Sequence, residues 1–99
     1  MKSDISSLQF DWDTANSDKN KRRHNVSDGE CEETFFDQHK VVLKDKLHSG
    51  TEERFILLGK TKQERLLFIA FTKRNARIRI ISARDVTKKK EVRLYEKAT

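Results

Sequence analysis

Ninety-nine residues, 34% of them hydrophobic and 38% charged, suffice for one closed core and not for two, since single domains commonly run to about 100–150 residues. A single cysteine, Cys31, excludes an intrachain disulfide, and no apolar run approaches the roughly 20 residues that cross a bilayer as a helix. The net charge of +6 is localised: residues 73 to 90 hold eight Lys or Arg against Asp85 alone, a window of +7 that leaves −1 for the rest.

A basic sector on a near-neutral body is the footprint of a polyanion binder, although a solvated surface gives the same composition. The first twenty residues contain Asp4, Asp11, Asp13 and Asp18 where a secretory segment would be apolar, so the expectation is a cytoplasmic protein without membrane contact.

Residues 1–9 are polar and aperiodic and are expected to be a disordered tail, with a single domain over 10–97. Phe10 and Trp12 then share one side of an extended segment. From Thr14 to His24 no apolar stripe exists, so a helix there needs docking at its ends by Phe10, Trp12 and Val26. Ser27-Asp28-Gly29-Glu30 has the spacing of a capping box and predicts a helix over about 28–37, with Cys31, Thr34 and Phe35 inward.

Val41–Leu43, Arg54–Lys60, Arg65–Lys73 and Arg77–Ala83 are strand-length runs separated by polar turns, which predicts an antiparallel meander. In the last run Ile78 and Ile80 point to one face while Arg77 and Arg79 point to the other, giving the sheet an apolar and a cationic side. Thr87 can cap a final helix whose apolar contacts are Val86, Leu94 and Tyr95. The fold class is α+β: an antiparallel four-stranded sheet flanked by N-terminal helices and one C-terminal helix.

Four blocks of residues resemble a known family. They are Phe10-x-Trp12-Asp13 followed by Asn20, Arg23-His24 and Val26-Ser27; Phe35/Phe36-Asp37; His48-Ser49 followed by Glu52-Glu53-Arg54-Phe55 and Gly59; and Phe71-Thr72, Arg77 through Arg84, Thr87, Glu91 and Tyr95. In this pattern the chain is similar to the BrnT toxins of bacterial type II toxin–antitoxin systems. The resemblance implies a RelE-like fold, ribonuclease activity that arrests translation and growth, and neutralisation by a BrnA-like antitoxin that also binds operator DNA. Asn16 stands where the family frequently has lysine, Arg23 and Asn25 replace the Lys and Gly of a K-H-G motif, and Asp28 replaces an aromatic. Arg23 keeps the charge, and asparagine tolerates positive φ. These departures motivate an alternative: a catalytically impaired member that serves as an antitoxin-binding module and co-repressor on operator DNA.

RNA is cut without a metal when its 2′-OH attacks the adjacent phosphate, which needs a base, cations around the phosphorus and a proton for the leaving oxygen. The catalytic candidates are Arg77, Arg79, Glu53 and His24. Arg77 and Arg79 lie about 6.5–7 Å apart on one strand face, a reach suited to neighbouring phosphate oxygens, or else they keep an exposed edge soluble. Glu53 is the base or the anchor of an arginine such as Arg54 or Arg65. His24 is a proton carrier or a helix cap. The RNA-binding candidates are Trp12, Arg23, Lys73, Arg74 and Arg84, with Trp12 either stacking on a base or closing the core. No Cys and His pair has metal-ligand spacing and no glycine-rich phosphate loop exists, so no metal or cofactor is expected.

Overall fold

Alternating apolar residues build one sheet, and polar side chains dock a helix on its edge. The computed structural model describes residues 8–48 and 50–97. Strands β1 (Gln9–Phe10), β2 (Val41–Lys44), β3 (Arg54–Lys60), β4 (Leu66–Arg74) and β5 (Arg77–Asp85) lie in the order β1-β5-β4-β3-β2, accompanied by helices α1 (Thr14–His24), α2 (Asp28–Thr34) and α3 (Lys89–Lys97).

From β2 to β5 the strands form the expected antiparallel meander, but β1 runs parallel to β5, with Gln9 opposite Arg77 and Phe10 opposite Ile78. The four-stranded antiparallel, RelE-like sheet is thus corrected to a five-stranded mixed sheet. A strand of two residues is too short to show a period. Of the tail expected over 1–9, residues 1–7 lie outside the described residues, whereas Leu8 packs against the core and Gln9 belongs to β1.

One face of the sheet carries Phe55, Leu57, Leu67, Ile69, Phe71, Ile78 and Ile80 against Val26, Cys31 and Phe35, with Phe10 and Trp12 at the margin. Burial pushes the Cys31 thiol up to about 12, so it is packing and not a nucleophile. Along β5 the alternation is interrupted: Ile80 opposes Phe71 and Ser82 opposes Ala70, so Ile81 is the extra residue of a bulge and Ala83 enters the core.

The predicted capping box is present, with Glu30 N–H donating to Ser27 Oγ at 3.2 Å and Ser27 N–H to Glu30 Oε1 at 3.0 Å. α2 ends at Thr34, short of residue 37, and lies directly on β3 at Gly59. A Cβ there would meet Thr34 O at 2.9 Å and Thr34 Cβ at 3.1 Å. Gly59→Ala is expected to cost about 1–3 kcal/mol through overpacking, read as a lowered denaturation midpoint; an unchanged midpoint would contradict this packing.

α1 forms without an apolar stripe because polar groups hold it. Asp13 caps its start by accepting from Ala15 N–H at 2.9 Å, and Asn25 ends it at φ 54°, while four basic residues in the last turn suit the negative end of the helix dipole. Since β1 covers only the beginning of β5, α1 takes over the rest of that edge. Asn16 donates to Ile80 O at 3.3 Å, Lys19 donates to Ile81 O at 3.3 Å, and Asn20 accepts from Ala83 N–H at 3.2 Å. Asn16, a departure from the family pattern, therefore has a docking role.

Arg65 ties these parts together. Its guanidinium donates to Asp85 at 2.7 and 3.0 Å, to Glu30 at 3.0 Å, and to the carbonyls of Asn25 and His24 at 2.9 and 3.0 Å. On the sheet's other face α3 closes one end: Tyr95 OH donates to Asp37 Oδ2 at 2.5 Å, and Arg84 lies 4.0 Å over the Phe68 ring while pairing with Glu91 at 3.1 Å.

Candidate functional site

The face opposite the core is cationic at the end left open by α3. Register places Arg54 opposite Thr72 and Thr72 opposite Arg79, so these three form a row across β3, β4 and β5, with Arg74 opposite Arg77 one step further on. Directly opposed residues in such a sheet stand about 4.5–5.5 Å apart. Thr72 is 1% exposed beneath this row, and its hydroxyl donates to Glu53 O at 2.8 Å, fixing the chain where it enters β3.

Glu52 sits among the arginines. Two guanidinium nitrogens of Arg74, Nε and Nη2, donate to its carboxylate. The Glu52 carboxyl is held below the ordinary glutamate value chiefly by the hydrogen bond from Arg74, with the charges of Arg79 and Arg54 adding to it. Arg79 donates to Asp13 Oδ2 at 2.9 Å, which links the cluster to the start of α1. Arg77 is exposed and makes no ion pair among the described residues.

The β4–β5 turn beside these residues is Asn75-Ala76, at φ 51° and 66°. An alanine in the left-handed region pays about 1–2 kcal/mol that glycine does not. Ala76→Gly is accordingly expected to stabilise the fold by about 1 kcal/mol, and a thermal melt that falls would contradict this turn geometry.

The structure brings together Arg74, Arg77 and Arg79, and leaves other sequence candidates elsewhere. Glu53 pairs with Lys44 at 2.5 Å, away from the arginine cluster. His24 ends α1 near Asp85, six residues along β5 from Arg79 or about 20 Å, and Arg23 shares that exposed last turn. Arg84 is engaged by Phe68 and Glu91 under α3. Trp12 Nε1 donates to Glu32 Oε2 at 2.8 Å and its ring stacks on Phe10 with centroids 6.2 Å apart, the arrangement of a core margin. Lys73 lies on the opposite face from Arg74, its Nζ 5.7 Å from the Phe55 ring centroid.

Sequence reasoning missed Glu52, Arg54 and Asp13. The period of two could have found the first two, because Arg54 shares the parity of the Thr72–Arg79 row and Glu52 shares that of Arg54. Among the described residues no group of three or more His, Cys, Asp or Glu is placed to hold a metal ion. Chemically, the cluster offers planar cations for a phosphate and an ionised carboxylate among them.

A family model for the ribonuclease toxin BrnT of type II toxin–antitoxin systems matches residues 12–90, nearly all of the described domain. The chain belongs to the BrnT family. Among solved structures, the crystal structure of the Brucella abortus ribonuclease toxin BrnT is similar in fold, with a TM-score of 0.63 and 15% identity over 83% of this chain and 100% of that one. No curated protein matches the chain. In this BrnT member the four sequence blocks meet in space: Asp13 reaches Arg79, Thr72 reaches the carbonyl of Glu53, and Tyr95 reaches Asp37.

Proposed function

We propose that this chain is a ribonuclease toxin whose RNA site is the arginine-rich end of β3, β4 and β5. The convergence of Arg54, Arg74 and Arg79 around Glu52, with Arg77 open beside them, carries this reading. Arg77 and Arg79 hold the scissile phosphate and stabilise the charge of the pentacoordinate phosphorus. Glu52, in place of Glu53, takes the proton of the attacking 2′-OH. The bond from phosphorus to the 5′-oxygen breaks, water protonates that oxygen, and the products are a 2′,3′-cyclic phosphate and a 5′-hydroxyl. These steps use side chains and water and are proposed to be metal-independent and without cofactor. His24 and Arg23, at the far end of α1, contact more distant parts of the RNA or none.

In the cytoplasm such a cationic face needs silencing, and a BrnA-like antitoxin is proposed to cover it with an acidic segment, the complex then binding operator DNA through the antitoxin. Two observations favour the alternative, a catalytically impaired antitoxin-binding module: Asp13 and Glu52 already pair with Arg79 and Arg74, and Asn16 is spent on Ile80 O. Controlled expression separates the two. Growth arrest with decay of total RNA in wild type, absent in Arg79→Ala, supports the ribonuclease. No arrest with either folded protein would hand the case to the impaired module.

A further inference from the structure

We infer that the core side of the sheet carries a second docking site for the neutralising protein, a cleft that takes one apolar side chain from an extended acidic segment. The inference rests on the reading of this chain as a toxin held by an antitoxin. α2 covers the Gly59 end of that face, whereas a cavity of about 210 Å3 remains open between Leu8 and Val42 above Phe55 and Phe71. Drug-sized ligands occupy pockets of about 300–1,000 Å3, so this one has the size for a single large side chain.

Its charged lining residues are Lys40 and Lys73, with no carboxylate among them. Neither lysine is in an ion pair among the described residues. Charge complementarity therefore asks for an acidic occupant. Val42 also belongs to β2, the last strand of the sheet, whose outer edge is unpaired among the described residues, and its side chain is about half exposed. An extended segment finds both backbone partners and an apolar anchor there.

Two other occupants fit less well. A second copy pairing antiparallel along β2 about a two-fold axis at Val42 would set Lys40 against Lys44 of the other copy at both ends, and like charges directly opposite are unfavourable. An RNA base needs a ring face to stack on, but Phe55 and Phe71 stack on each other, centroids 5.5 Å apart and interplanar angle 26°. Lys73 and Arg74 point to opposite faces at the same hairpin end, so one acidic polypeptide passing around it would engage this cleft and the arginine cluster together.

The test uses the full chain and a labelled acidic decapeptide with one central phenylalanine, followed by fluorescence polarisation. Binding that weakens at least tenfold in Lys40→Glu, in Val42→Asp and with serine in place of the phenylalanine supports the site, with RNA cleavage by both protein variants unchanged. Binding indifferent to both variants overturns it. So does displacement by single-stranded RNA with slower cleavage in Val42→Asp, which would make the cleft an RNA site, or a wild-type dimer in sedimentation that Val42→Asp dissolves. Loss of the toxin reading is distinguishable: wild type would leave RNA intact while still binding the peptide in a variant-sensitive way.

Discussion

Arg79→Ala is expected to lower the rate of the proposed RNA cleavage by about 10²–10³-fold, the range seen when one preorganised donor to a developing oxyanion is removed. Arg79 is suited to this because it stands in the middle strand row next to Thr72, with Asp13 fixing one nitrogen of its guanidinium at 2.9 Å and leaving the others for a phosphate. The loss is catalytic and not a collapse of the fold: the pair is partly exposed, 28% and 31% for the two side chains, and such pairs stabilise by at most about 1 kcal/mol. Arg79→Lys keeps the charge but loses the planar fork, so it recovers only part of the rate. Cleavage assays on single-stranded RNA, with a thermal melt of each variant, read both quantities. A variant as active as wild type would remove Arg79 from the site.

Replacing Arg65 by methionine is expected to cost about 2 kcal/mol of stability, because it removes two partly exposed ion pairs that stabilise by at most about 1 kcal/mol each, together with hydrogen bonds to two carbonyls. For a domain of this size that lowers the melting temperature by roughly 8–16 °C. The reason is connectivity: one guanidinium satisfies Glu30, Asp85 and the carbonyls at the end of α1. A melting temperature within a few degrees of wild type would show that these contacts are replaceable.

The same group sets an acid response. The Asp85 carboxyl is lowered first of all by its hydrogen bond from Arg65, and for Glu30 burial pulls upward but is outweighed by the Ser27 N–H and by Arg65. Carboxyls with folded values below their unfolded values of about 4 stabilise fully above that pH, and the stabilisation disappears as pH falls through the folded values. Wild type is thus expected to lose stability below about pH 4, and Arg65→Met to lose less over the same interval. Equal acid slopes for the two proteins would contradict the assignment.

What the sequence made legible was local. The capping box at Ser27 and Glu30, the alternation of Ile78 and Ile80 with Arg77 and Arg79, and the strand-length runs from Val41 onward each involve residues within a few positions of one another. What it hid was non-local or irregular. Gln9 and Phe10 pair in parallel with residues far along the chain, the bulge at Ile81 reverses the parity after it, and α1 docks through Asn16, Lys19 and Asn20, which carry no apolar signal. Glu53 was credited without Glu52 because adjacent carboxylates differ only in which face they serve; the fold turns Glu53 to Lys44 and Glu52 to Arg74. His24 was credited from its chemistry, but only the fold shows that β5 separates it from the arginines.

Incubating purified wild-type protein and its Arg79→Ala variant with single-stranded RNA in excess EDTA, and resolving the product ends, tests the central claim most directly. Wild type should yield fragments ending in 2′,3′-cyclic phosphate while the variant leaves the RNA essentially whole. Intact RNA with folded wild type, or equal cleavage by both proteins, would contradict an arginine-centred, metal-independent ribonuclease.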